Sequence, residues 1–263
     1  MASLGSGAIQ PGATTATIGT SGAVRTVTRE PATDPHGRLF CYVLAEDRWV
    51  VGGPVSNGGL VLQWVRDLLA QEELASSGND ASYQVLLEEA GRIEPGAGGV
   101  LFLPYLVGER APHWNAEATG VLMGLRLNHD RAHIVRAALE GVVYGLRSIA
   151  TLVEELVPLH GPVRATGGFS RSKLWLQMLA DVLGREVEVP AQQDASPLGA
   201  AVLGLMAVGA IDSIDAVDDM VEISSRASPD PSASQTYDEM FERFVALYDD
   251  LEGGFERMAR RNK

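Results

Sequence analysis

The chain has 263 residues, 46% hydrophobic and 21% charged, with a formal net charge of −13. That composition is globular, and no apolar run reaches the roughly 18–20 residues of a transmembrane helix. The acidic balance argues against a nucleic-acid partner, which needs a basic surface, although a few local donors or a magnesium ion can still accommodate a nucleotide. Its single cysteine, Cys41, excludes an internal disulfide or a multi-cysteine metal site. Residues 1–5 carry no basic-then-apolar leader pattern, so the simplest expected location is the cytoplasm, with no membrane partner.

Residues 1–13 are small and glycine-rich, and a loop is expected there. Residues 14–18 and 23–29 are rich in Thr, Val and Ile and read as a strand pair around the turn Gly19-Thr20-Ser21-Gly22. Glycines flanking Thr20 and Ser21 permit positive φ and close ligand approach, and such a turn presents N–H groups and two hydroxyls to an anion. An ordinary glycine-containing hairpin is the plain alternative. Two further strands, 38–44 and 48–51, complete an antiparallel meander. Cys41, inside the first of them, is expected to be inert.

After the run Gly52 to Gly59, residues 60–69 show helical spacing, with Leu60, Trp64, Leu68 and Leu69 on one stripe. A helix over 81–91 and a buried strand over 100–104 follow. Residues 105–119 fit neither pattern, and an ordered loop of that length usually has a role. A strand over 120–127 leads to Asp130, expected to cap the longest helix, 131–157, where Ile134, Ala138, Val142, Leu146, Ile149 and Val153 recur at 3.6-residue spacing. The strand 163–166 ends in Gly167-Gly168. Ser170 leads into a helix over 171–184, a strand covers 186–189, and Ser196-Pro197 opens a helix to about 207. Residues 225–235 read as a linker-like surface segment before a final helix, 236–260, with Phe241, Phe244, Leu247, Tyr248 and Leu251 on one side. Strands and helices in this order make an α/β domain.

The run Gly120-Val121-Leu122-Met123-Gly124-Leu125, continued by His133-Ile134-Val135-Arg136-Ala137-Ala138-Leu139-Glu140, resembles the second signature of the FGGY carbohydrate kinases. Gly19-Thr20-Ser21-Gly22 and Ala165-Thr166-Gly167-Gly168-Phe169-Ser170 resemble that family's nucleotide loops, in the family's order. Pro104 to Asn115, and Gly19 to Arg25, are most similar to its gluconate-kinase branch. The resemblance implies an actin-like ATPase (ribonuclease H-like) fold with a mixed sheet, the meander and flanking helices. Residues 1–220 would form the C-terminal, ATP-binding domain. Residues 221–263 would add a linker and a helix packed on the same domain. The family's N-terminal sugar-binding domain, with the catalytic aspartate just upstream of Met1, would lie outside this chain.

The resemblance further implies ATP and Mg2+ as cofactors. Gly19, Thr20 and Ser21 would meet the phosphates, Gly59 and Gln63 the helix bordering the nucleotide, and Gly167, Gly168 and Ser172 the adenosine side. Gln63 as a solvated residue and Ser172 as a surface helix residue are the structural alternatives. Arg25 is a candidate for pairing with a sugar-acid carboxylate. Arg110 is a candidate for substrate or phosphate contact, against a structural ion pair with Glu109 or another nearby acid. His129 and His133 lack a third metal ligand, so helix-start and core roles are expected and no metal site. Glu140 is expected to be structural, and Trp64, Trp114 and Trp175 to be core. No catalytic residue is expected within the chain. The implied function is transfer of the ATP γ-phosphoryl group to a carbohydrate hydroxyl, with gluconate giving 6-phosphogluconate, by a protein of which this chain alone is inactive. The partners implied are ATP or ADP, the sugar acid held with the N-terminal domain, and a second copy of the chain. A xylulose- or glycerol-type kinase and a non-catalytic nucleotide-binding module are the rival readings.

Overall fold

The computed structural model describes residues 1–45, 47–192 and 195–261. In chain order the elements are α1 (Ala2–Gly5), β1 (Thr14–Ile18), β2 (Gly22–Thr28), β3 (Phe40–Ala45), β4 (Arg48–Val55), α2 (Gly59–Leu69), α3 (Gln71–Ala90), β5 (Leu101–Leu103) and β6 (Val121–Met123). These are followed by α4 (Arg131–Leu156), β7 (Val163–Thr166), α5 (Lys173–Leu183), β8 (Val187–Pro190), α6 (Ala195–Ala207), β9 (Ile223–Ala227) and α7 (Pro231–Arg261).

Seven strands form one mixed sheet in the order β3-β4-β2-β1-β7-β8-β9, and β5 and β6 make a separate antiparallel pair. The first four strands are antiparallel as expected, but β2 pairs with β4, and β3 lies outside β4. Strand burial accounts for the order. β4 is buried along almost its whole length, whereas β3 is half exposed, as an edge strand must be. β7 runs parallel to β1 and β8 parallel to β7.

α4 covers one sheet face. Asp130 caps it, its carboxylate accepting the His133 N–H, and Val135, Leu139, Val142, Leu146, Ile149 and Val153 are buried beneath it. Each such side chain, fully buried, contributes about 1.5–3 kcal/mol. On the other face α1 and α6 bury Leu4, Ile9, Val27, Val50 and Val202. Arg131 fastens α3 to the start of α4 by bonding Glu89, Glu73 and the Leu69 carbonyl.

Several expectations need correction. Residues 2–5 form a short helix, because Gly5 and Gly199 let the backbones of α1 and α6 meet where side chains would overlap. The helix expected at 81–91 starts at Gln71 and kinks at Gly78, where φ is +78°. α2 buries Val61, Leu62 and Val65 rather than a Leu60–Trp64–Leu68 stripe, leaving Trp64 and Leu68 exposed. Trp64 and Trp114 are therefore not core residues, whereas Trp175 is. The first three residues of the expected linker end β9, which hydrogen-bonds along β8, and the last helix begins at Pro231. Periodicity could not mark β9, whose sheet pairing supplies the order. No helix among the described residues is long and apolar enough to cross a membrane.

Candidate nucleotide site

Parallel pairing of β1 with β7 sets Thr17 opposite Thr166. The residues that follow, the turn 19–22 and Gly167-Gly168, therefore leave the same edge of the sheet. That edge is the carboxyl end of parallel strands, next to the point where the direction of neighbouring strands changes, which is where α/β sheets bind ligands. The two glycine-bearing loops that the sequence singles out are thus brought together. The third element, the start of α2, packs directly on the first. Gly59 N–H donates to the Gly19 carbonyl at 2.7 Å, and the N–H groups of Gly58 and Leu60 both donate to the Thr20 carbonyl at 3.2 Å.

Within the turn, Gly19 N–H donates to the Ser21 carbonyl at 2.8 Å, so it is not available to a ligand as the sequence suggested. The N–H groups of Thr20 and Ser21 have no backbone acceptor among the described residues, and both residues are exposed. The turn tip thus keeps two N–H donors and two hydroxyls for an anion. At Gly167, φ is +102° and a side chain would overlap the Ile18 carbonyl, so glycine is required there by both conformation and space. Gly168 faces open space.

A cavity of about 330 Å³ lies at this edge, lined by Thr17, Thr166, Gly167, Gly168, Arg171 and Ser196. Thr17 and Thr166 share a hydrogen bond of 2.8 Å between hydroxyls, and Arg25 Nη1 donates to the Thr17 hydroxyl at 3.4 Å. Arg171 lines the cavity and Arg25 meets it through Thr17, so positive charge gathers here in a chain whose net charge is −13. The N-terminal end of α6 points its first turn at the same space through Ala195 and Ser196, and a helix N-terminus favours phosphate.

The remaining candidates divide. Gln63 is exposed, one turn along α2 from Gly59. Ser172 caps α5, its hydroxyl accepting the Trp175 N–H at 3.2 Å. Arg110 does not reach the cavity: its guanidinium donates to the Val55 carbonyl at 2.8 Å and to Ser56 Oγ at 3.3 Å. Its tie to Glu109 is a backbone N–H bond to the carboxylate, 2.7 Å, rather than the expected side-chain ion pair. Glu109 itself is 5% exposed. Burial raises its pKa, opposed by hydrogen bonds from Ser56 N–H, Asn57 and Arg110 N–H.

His129 and His133 sit 4.8 Å apart at the start of α4. His133 bonds Asp130 in the capping box, and no group of three metal-binding side chains occurs among the described residues. Glu140 is structural, as expected: it is 1% exposed and accepts Arg136 Nε at 2.7 Å and Gly96 N–H at 3.0 Å. Cys41 is a free thiol, partly exposed in β3. Sequence reading passed over Thr17, Thr166, Arg171 and Ser196. The signal for the two threonines was their place two residues and one residue before a singled-out glycine. For Ser196 it was the Ser-Pro start of a helix.

The profile of the FGGY family of carbohydrate kinases, C-terminal domain, matches residues 14–208. The chain is 45% identical over 265 aligned residues to the gluconokinase of Bacillus licheniformis, covering 98% of this chain and 51% of that protein. It is 28% identical to the xylulose kinase of Bacillus subtilis (strain 168), covering 93% of this chain and 48% of the relative. Among solved structures it resembles gluconate kinase from Lactobacillus acidophilus with a TM-score of 0.89 at 29% identity, over 98% of this chain and 51% of that one. It thus spans about half the length of the curated relatives it matches. The signature match, the actin-like ATPase architecture shared with those kinases and the converging glycine turns agree, and the chain belongs to the FGGY family of carbohydrate kinases, as a C-terminal domain.

Proposed function

We propose that this chain is the nucleotide-binding half of a kinase that moves the γ-phosphoryl group of ATP to a hydroxyl of gluconate. The observation that carries the nucleotide reading is that the turn 19–22 and Gly167-Gly168 leave the same edge of the sheet, beside a cavity lined by Thr17, Thr166, Gly167, Gly168 and Arg171. Gluconate as acceptor is supported by the relatives named gluconokinase, at 45% identity.

Phosphoryl transfer depends on alignment and charge neutralisation more than on covalent work by the protein. The N–H and hydroxyl groups of Thr20 and Ser21 bind the terminal phosphates, each charge-assisted bond contributing on the order of 1.5–3 kcal/mol. Gly167 and Gly168 let the backbone lie close to the adenosine side, with Ser172 nearby and Gly59 and Gln63 on the bordering helix. Arg25 is the candidate partner of the sugar-acid carboxylate. Arg110 braces the end of β4. Bound with the nucleotide, Mg2+ would offset phosphate charge. The general base would come from the family's N-terminal domain, as the resemblance implies. A cytoplasmic location fits such a metabolic role. Exposed Trp64, Leu68, Met123, Leu125 and Leu127 favour self-association as a homodimer, which sedimentation would read.

Titration of the chain with MgADP and MgATP tests the nucleotide reading, and absence of binding at millimolar nucleotide would refute it. A screen of gluconate, xylulose and glycerol with a protein carrying both halves tests the acceptor.

A further inference from the structure

We infer that Glu109 is a positioning residue for nucleotide binding: its buried carboxylate locks the Ser56–Asn57 corner, and that corner seats the start of α2 against the turn Gly19–Ser21. The inference rests on the nucleotide reading of that turn. Glu109 comes from the long loop between β5 and β6, far along the chain from both partners. One carboxylate oxygen accepts Ser56 N–H at 2.5 Å and Arg110 N–H at 2.7 Å, and the other accepts Asn57 Nδ2 at 3.1 Å. Asn57 is 1% exposed, and its Nδ2 also donates to the Gly108 carbonyl at 2.7 Å. Arg110 adds bonds to the Val55 carbonyl and Ser56 Oγ. Residues 55–57 are thereby gripped by three consecutive residues of the loop.

The next residues transmit that grip. Gly58, Gly59 and Leu60 donate their N–H groups to the carbonyls of Thr20, Gly19 and Thr20. The approach has no slack: a Cβ at Gly58 would stand 2.6 Å from the Ser21 carbonyl oxygen, and one at Gly59 2.8 Å from that of Gly19. A shift of the corner therefore moves the turn whose tip carries the anion donors.

A carboxylate is the group required. All three partners are donors, and a glutamine in the same place would turn an N–H toward one of them. Reorienting the Asn57 amide to meet a glutamine N–H would set its oxygen against the Gly108 carbonyl. The Asn57 Oδ1 atom already lacks any partner, so the corner holds no spare donor to repair the mismatch.

The test uses the 263-residue chain and MgADP as probe, with affinity measured by calorimetry well below the unfolding midpoint. Glu109→Gln is expected to weaken MgADP about tenfold, the scale of one charge-assisted hydrogen bond. Val153→Ala, a cavity under α4 away from the corner, is expected to lower the unfolding midpoint while leaving affinity within about twofold. Should Glu109→Gln fail to fold, Asn57→Ser reads the same corner and is expected to weaken MgADP by about threefold or more. Unchanged affinity in the folded corner variant, or an equal loss in Val153→Ala, would overturn the proposal. Failure of the unaltered chain to bind MgADP would instead overturn the nucleotide reading, and this inference with it.

Discussion

Thr17 and Thr166 face one another across a parallel strand pair, their hydroxyl oxygens 2.8 Å apart at the floor of the cavity. Arg25 donates to the first of them at 3.4 Å, and Thr166 also lines the cavity, where its hydroxyl is within reach of a ligand. Replacing Thr166 by Val is expected to weaken MgADP binding about three- to tenfold, with about 1 kcal/mol lost from stability. Calorimetric titration beside a denaturant melt checks both figures, and equal affinity would remove Thr166 from the site.

The two adjacent glycines should respond differently. Gly167→Ala forces a side chain into the Ile18 carbonyl at φ +102°, and a loss of more than about 2 kcal/mol is expected. Gly168→Ala meets nothing within 4 Å, so stability should stay within about 0.5 kcal/mol. Its methyl group lies at the cavity lining, and nucleotide affinity should fall. Comparison of the two by thermal melt and titration separates backbone need from ligand approach.

Acid should weaken the fold through His113. Its ring stacks on Tyr248 at 3.5 Å, and burial lowers its pKa from 6.5 to about 4. The unfolded chain binds this proton more readily, so the contribution of neutral His113 is complete above about pH 6.5 and is lost as pH falls toward 4. About 3 kcal/mol is the upper scale of that loss. Denaturant melts from pH 7.5 to 4.5 should show a shallower decline in His113→Phe than in the unaltered chain. Parallel declines would assign the effect to other groups.

Arg136 and Glu140 form a buried ion pair that also reaches Tyr237 on α7. Arg136→Met strands a carboxylate that is 1% exposed, and a cost of about 3–5 kcal/mol is expected. A urea midpoint within experimental error of the unaltered chain would contradict it.

The chain alone should bind nucleotide without phosphorylating gluconate, because it spans about half the length of the kinases it matches and the proposed base lies in the other half. A coupled assay on a preparation free of longer kinases checks this, and measurable turnover would place a base within these residues.

Local patterns were enough to find α4 with its Asp130 cap, the β1–β2 turn and the strand that ends at Gly167, because each is encoded within a few residues: a 3.6-residue period, a capping side chain, a glycine pair. The family signature made the kinase fold legible for the same reason. Trp64 and Trp114 were misplaced because an aromatic residue carries no mark of which side faces the core. β9 was missed because an exposed strand of Ser and Arg gains its order only from β8. The parallel register that sets Thr17 against Thr166, and the two bonds that Glu109 accepts from Ser56 and Asn57, join residues tens to more than a hundred positions apart. Such pairings depend on how sheet and loop close in space, and only the folded chain decides them.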